Sequence, residues 1–169
     1  MEDTLRIAGV VKESIVDGPG IRYTIFTQGC PHNCPECHNP QTHDMSKGSL
    51  VSIDKIIEDI SKNPLLKGVT ISGGEPFLQA KQVATLLSKL DRDKLNVIVY
   101  TGFEYEKLLN NANDENKYKN LLQNCDILID GKFNIELKSN TVAFRGSTNQ
   151  RAIDIKESLE SGNIISYNF

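Results

Sequence analysis

The sequence has no apolar run long enough to cross a bilayer, and its opening Met-Glu-Asp-Thr-Leu-Arg lacks the basic-then-apolar layout of a secretory leader. No repeat, low-complexity tract or Pro/Gly-rich linker divides the chain. Charge of one sign is also missing: a formal net charge of -3 gives no electrostatic case for nucleic acid or an anionic membrane as partner. Cysteine is scarce, at four, and three of the four crowd one stretch, which leaves no disulfide framework. What remains is a chain of 169 residues, 38% hydrophobic and 24% charged, as expected of one domain over residues 1–169 in a reducing cytoplasm.

The crowded cysteines are the most informative residues. Cys30, Cys34 and Cys37 stand as C-x3-C-x2-C in the loop Gly29-Cys-Pro-His-Asn-Cys-Pro-Glu-Cys-His-Asn-Pro-Gln41. Four cysteines would close the coordination of a four-iron cluster or a structural zinc, whereas three leave one vertex free for a substrate or cofactor. A zinc site drawing its fourth ligand from His32, His38 or His43, or a disulfide within the loop, is the plainer alternative. The spacing favours iron and sulfur, because structural zinc usually divides its ligands between two separated pairs. Cys125 precedes the apolar run Ile127-Leu-Ile129 and reads as a small buried hydrophobe with no assigned role.

Along the chain, apolar runs of strand length alternate with segments of helical period. Leu5–Val11 and Ile21–Thr27 read as strands around the turn-rich Asp17-Gly-Pro-Gly20, followed by a helix near Ile53–Ser61 starting about Asp54. Strands are expected at Gly68–Ser72, Asn96–Tyr100 and Asp126–Ile129, with a helix near Gln79–Leu90 and helical stretches between Glu104 and Gln123. The alternation predicts an α/β fold with a mostly parallel sheet. Ligands bind at the carboxyl ends of such strands, and there lie the cysteine loop, Gly73-Gly74-Glu75, Thr101-Gly102-Phe103 and Asp130-Gly131-Lys132-Phe133. Gly73 and Gly74 offer backbone approach without a Cβ, and Glu75 an anionic acceptor.

The cysteine loop together with Ile71-Ser-Gly-Gly-Glu-Pro-Phe77 resembles the radical S-adenosylmethionine superfamily. The resemblance implies an incomplete (β/α) barrel of about five or six strands, a [4Fe-4S] cluster held by Cys30, Cys34 and Cys37, and S-adenosyl-L-methionine on the open iron. It places Gly73, Gly74 and Glu75 against the methionine portion of the cofactor, and the backbone of Glu36, Cys37 and His38 along the nucleobase edge. Glu36 departs from the superfamily, which often has an aromatic just before the third cysteine. Asp130 and Lys132 look like the Asp-x-Lys segment of glycyl-radical activating enzymes, where they would meet the ribose or carboxylate.

Asp17-Gly-Pro-Gly-Ile-Arg-Tyr23, Gln28-Gly-Cys30 and Cys37-His-Asn39 resemble those activating enzymes as well. Tyr100-Thr-Gly-Phe103, Asp130-Gly-Lys-Phe133 and Phe144-Arg-Gly-Ser-Thr-Asn-Gln-Arg151 are similar to the family that activates anaerobic ribonucleoside-triphosphate reductase. Such an enzyme cleaves S-adenosylmethionine reductively and takes a hydrogen from a glycine of the reductase. It would draw its electron from a donor such as flavodoxin or ferredoxin. Arg145, Asn149 and Arg151 are candidates for docking the partner or ordering the cofactor. The alternatives are a pyruvate formate-lyase activating enzyme, a 7-carboxy-7-deazaguanine synthase-like enzyme, an iron-sulfur electron carrier and a zinc-stabilised interaction module.

Overall fold

The computed structural model describes residues 3–169. One seven-stranded sheet is built from β1 (Thr4–Ser14), β2 (Arg22–Thr27), β3 (Ser49–Ser52), β4 (Gly68–Gly73), β5 (Asn96–Tyr100), β6 (Ile127–Asp130) and β7 (Arg151–Asp154), in the order β3-β1-β2-β4-β5-β6-β7. Strands β2, β4, β5 and β6 run parallel, whereas β1 pairs antiparallel with β2 and β3, and β7 with β6. The two end strands, β3 and β7, are not paired with each other, so the sheet is an unclosed α/β sheet of the expected class. The count is seven because antiparallel strands extend both sides of the parallel centre. Edge strands β3 and β7 are only four residues each, too short for the period to declare them.

The helices are α1 (Ile53–Ser61), α2 (Ala80–Ser88), α3 (Tyr105–Asn110), α4 (Tyr118–Gln123) and α5 (Ile155–Ser161). Helix α1 is capped two residues before the Asp54 that the sequence suggested: Ser52 is the N-cap, its hydroxyl accepting from the Lys55 N–H at 3.4 Å. The stretch from Glu104 to Gln123 divides into α3 and α4, because Asn113 Oδ1 accepts from the Glu115 and Asn116 N–H groups and Lys117 adopts φ 57°. A single 3-10 turn, Pro76–Gln79, leads into α2.

Alternation along the strands sorts their residues onto two faces. Val69, Ile71, Val97, Val99 and Leu128 pack with Ile56, Val83, Leu86, Leu87, Leu108 and Leu121 of the helices in the main core. The opposite face carries Arg22, Thr24, Phe26, Thr70, Ser72, Ile98 and Tyr100, in register across β2, β4 and β5. Ile98, Ile127, Ile129 and Ala152 form a small buried apolar cluster there, with Tyr100, Phe144 and Tyr167 packed against it.

Arg22 organises the lower part of that second face. It is 1% exposed, and its guanidinium donates to Thr70 Oγ1 at 2.8 Å and to the Pro19, Val69 and Asn96 carbonyls. Burial pushes its pKa down to about 10. The side chain lies where a Cβ on Gly68 would stand, so the strand opposite needs glycine. Thr70 Oγ1 in turn donates to the Asp17 carbonyl at 2.8 Å. The Asp17-Gly-Pro-Gly20 turn is thereby pinned beside the sheet's interior face.

Candidate active site

A cavity of about 520 Å³ opens at the carboxyl ends of β2, β4, β5 and β6. Its wall includes Cys30, Cys34 and Cys37, with Gly73 and Gly74 from the end of β4 and Tyr100, Thr101 and Gly102 from the end of β5. Gly131, Lys132 and Phe133 follow β6, and Phe144 to Gly146 and Gln150 complete the far side. Convergence of separate strand-end loops on one mouth is the arrangement the sequence predicted. All three cysteines are free and partly buried, while Cys125 is buried in the main core and its thiol donates to the Ile127 carbonyl at 3.0 Å.

The cysteine loop is fastened at its stem. The Gly29 and Cys30 N–H groups donate to the Thr42 and His43 carbonyls at 2.7 and 3.2 Å, and Gln28 Nε2 donates to the Gln41 and Asp44 carbonyls. The Glu75 N–H donates to the Gly29 carbonyl at 2.7 Å, and the Gly74 N–H to the Thr27 carbonyl at 2.8 Å. A Cβ at Gly74 would strike the Gly29 carbonyl, and one at Gly73 (φ +91°) would meet the Thr27 and Phe26 backbone. The two glycines therefore let β4 close on β2 and on the cysteine loop, a use of their freedom beside the cofactor approach expected of them.

Glu75 is fully buried and lies under the cavity wall, off its lining. Its Oε2 accepts from the Phe77 N–H at 3.1 Å and the Thr101 hydroxyl at 2.8 Å, and its Oε1 from the Gly102 N–H at 2.8 Å. His32 Nε2 completes the set at 2.5 Å from Oε1. Asp130 is buried too, held by Arg151 through Nε at 3.0 Å and by the Tyr105 N–H at 2.8 Å. Its place is between β6, β7 and α3, again off the cavity lining. Glu36 is exposed at φ 58° and also stands off the lining, whereas His38 and Lys132 are on it.

The segment Phe144–Arg151 folds back against the loop after β6. Gln150 Oε1 accepts from the Gly146 and Ser147 N–H groups, its amide donates to the Gly131 carbonyl, and Asn149 Nδ2 donates to the Lys132 carbonyl at 2.8 Å. Arg151 also binds Glu106; its hydrogen bonds to Asp130 first and to Glu106 second raise its pKa, and the Arg151 guanidinium lowers that of Glu106. Asn149 and Arg151 are thus committed within the chain, and Arg145 faces the cavity. Residues that the sequence left without a site role are Tyr100, Phe144 and Gln150, and His32 was weighed there only as a fourth ligand to zinc. Tyr100 donates to the Phe144 carbonyl at 2.6 Å, and the signal for it was its place at a strand's carboxyl end.

Chemically, the donor set fits a cluster. Burial pushes the Cys30 and Cys34 thiols up, and for Cys30 the Glu75 carboxylate adds to the rise; backbone N–H groups of His32 and Phe133 act in the opposite sense. Such thiols become thiolates when cationic iron replaces the proton. Three of them on one wall with N–H groups aimed at sulfur are what a three-cysteine cluster requires. Beside them, the His38 and Phe133 rings lie 4.9 Å apart at the rim, and the cavity has the size of a small-molecule cofactor site.

Comparison with known proteins agrees with this site. Residues 16–153 match the family described as 4Fe-4S single cluster domain. Anaerobic ribonucleoside-triphosphate reductase-activating protein of Escherichia coli (strain K12) is 33% identical over 145 residues, covering 80% of this chain and 90% of that protein. The protein of that name in Enterobacteria phage T4 is 30% identical over 143 residues, covering 80% and 85%. Pyruvate formate-lyase-activating enzyme of Staphylococcus aureus (strain USA300) is 40% identical over 93 residues, 52% of this chain and 37% of that protein. The fold and site thus define a four-iron, single-cluster protein. Within that class, the chain belongs to the family of anaerobic ribonucleoside-triphosphate reductase-activating proteins.

Proposed function

We propose that this chain is a radical S-adenosylmethionine activase that installs a glycyl radical on anaerobic ribonucleoside-triphosphate reductase. The observation that carries the reading is the placement of three free thiols on one cavity wall at the carboxyl ends of the parallel strands, in a chain that matches reductase-activating proteins over 80% of its length. The pyruvate formate-lyase-activating enzyme is matched over a shorter stretch, 52% of the chain, which favours the reductase as target.

Cys30, Cys34 and Cys37 would hold the [4Fe-4S] cluster, and the remaining lining of the same cavity would hold S-adenosyl-L-methionine. Together those groups supply one-electron cleavage of a sulfonium and a carbon radical that abstracts hydrogen. The chain's own residues bind and orient. Gly73 and Gly74 shape the floor next to the cysteine loop, and the backbone at Cys37 and His38 with the Phe133 ring would receive the nucleobase. Lys132 brings a cation to the cavity for a carboxylate or ribose oxygen. Glu75 and Asp130 act from beneath, holding the loops after β4, β5 and β6. Glu36, exposed beside the third cysteine, contributes backbone alone.

The whole of residues 1–169 serves as one radical S-adenosylmethionine domain in the cytoplasm, with flavodoxin or ferredoxin as electron donor. No helix among the described residues is long and apolar enough to cross a membrane. The test is anaerobic reconstitution followed by dithionite and S-adenosylmethionine. Release of 5′-deoxyadenosine that rises when the reductase is added supports the reading; release that ignores the reductase and modifies a small molecule instead refutes it.

A further inference from the structure

Between Cys30 and Cys34 the loop leaves its fastened stem and crosses the cavity wall as Pro31-His32-Asn33. Among the described residues, His32 is the only one of these three whose side chain is hydrogen-bonded to another element, through Nε2 to Glu75 Oε1 at 2.5 Å. Both partners are dry, with side-chain exposures of 6% for His32 and 0% for Glu75. The acceptor is fixed independently of the histidine: the Phe77 N–H, the Thr101 hydroxyl and the Gly102 N–H all hold the same carboxylate. The dependence is therefore one-sided. Glu75 keeps three other donors without His32, while Pro31-His32-Asn33 loses the one side-chain hydrogen bond to another element found for it among the described residues.

The ring is shaped into its place as well. A Cβ on Gly102 would collide with it, and the Phe103 ring meets it edge-on with centroids 4.6 Å apart. It also forms part of the partition between the cysteine-lined cavity and a neighbouring one of about 660 Å³ lined by Lys107, Asp130 and Arg151. A histidine in a loop gains such a fitted seat only when the fold supplies acceptor, space and aromatic edge together.

We propose that the His32–Glu75 hydrogen bond sets where the middle of the cysteine loop stands over the strand ends, which makes His32 a positioning residue for the cluster. This rests on the reading that Cys30, Cys34 and Cys37 hold the cluster. Partners behind metal ligands that fix their orientation typically affect activity or metal affinity 10- to 100-fold, and cluster potential responds to hydrogen bonding and solvent access at the sulfurs.

The test compares wild type, His32→Ala and His32→Gln, the last placing an amide N–H near the position of Nε2. In the metal-free proteins, amide hydrogen exchange over residues 30–37 should accelerate in His32→Ala and return toward wild type in His32→Gln. After anaerobic reconstitution, His32→Ala should cleave the cofactor about 10- to 100-fold more slowly with an altered cluster midpoint potential, and His32→Gln should recover most of both. Where alanine does not fold, His32→Asn, polar but too short to reach Glu75, takes its place. Unchanged exchange and potential in the truncated variant, or a folded His32→Gln no better than alanine, would overturn the proposal. Wild type that takes up no cluster would instead refute the functional reading, and the exchange comparison would still decide the tie.

Discussion

The two faces of the parallel strands have been put to opposite uses. On the helix side, Val69, Ile71, Val97, Val99 and Leu128 meet Leu86, Leu87, Leu108 and Leu121, and stability comes from apolar area removed from water. On the other side the same strands present Arg22 and Thr70, whose hydrogen bonds reach each other and the Pro19 and Asp17 carbonyls, beside Thr24 and Ser72. One face binds the domain together and the other positions its loops. A buried polar group is costly unless it is paired, so Arg22 and Thr70 hold the Asp17-Gly-Pro-Gly20 turn in one geometry, which is what a site needs.

Breaking the site itself should have the largest effect. Cys30→Ala, Cys34→Ala and Cys37→Ala should each abolish cluster absorbance and cofactor cleavage, whereas Cys125→Ala, on the helix side, should keep both; iron analysis and 5′-deoxyadenosine release check this. Next comes Gly74→Val. Its side chain would have to displace the Gly29 carbonyl, so overpacking of roughly 1–3 kcal/mol or more falls on the cluster loop. Iron uptake should therefore drop along with cofactor binding, and a cluster-loaded variant deficient only in cofactor affinity would return Gly74 to a direct binding role.

A pair of stability measurements sharpens the contrast between faces. Leu86→Ala, fully buried, should cost about 2–5 kcal/mol in denaturant unfolding while each folded molecule keeps its cluster chemistry. Thr70→Val, which leaves the Arg22 Nε–H and the Asp17 carbonyl without their partner, should cost only about 1–3 kcal/mol but loosen the Asp17-Gly-Pro-Gly20 turn, visible as faster amide exchange there. The smallest effect belongs to the surface. Arg151 lowers the Glu106 pKa below its unfolded value, so that contribution is present at neutral pH and is lost as pH falls through the folded value. Glu106→Gln should remove that part of the acid dependence, at a cost on the order of 0.5 kcal/mol for so exposed a pair.

The same contrast explains how far the sequence could be read. Helix-side residues repeat at periods of two and 3.6, so β2, β4, β5, β6, α1 and α2 were legible from apolar spacing alone. The cysteines stood out because three thiols sit within one short loop. Strand β7 and helix α5 were not, since Arg-Ala-Ile-Asp is too short to show a period and its partner β6 lies far back in the chain. Gly68 making room for Arg22, Gly74 for Gly29 and Gly102 for His32 are complementarities between distant segments, and local pattern carries no trace of them. Glu75 shows the limit best: its motif was plain, but its four donors come from His32, Phe77, Thr101 and Gly102, which meet only in the folded chain.

Radical transfer to the reductase is the activity to test most directly. Reconstituted protein, dithionite and S-adenosylmethionine should be incubated without oxygen with the cognate anaerobic ribonucleoside-triphosphate reductase, the two proteins separated, and the reductase examined by electron paramagnetic resonance. The account predicts a glycyl doublet on the separated reductase, absent when its target glycine is changed to alanine. Cofactor cleavage that leaves no radical on any glycyl-radical enzyme would contradict it.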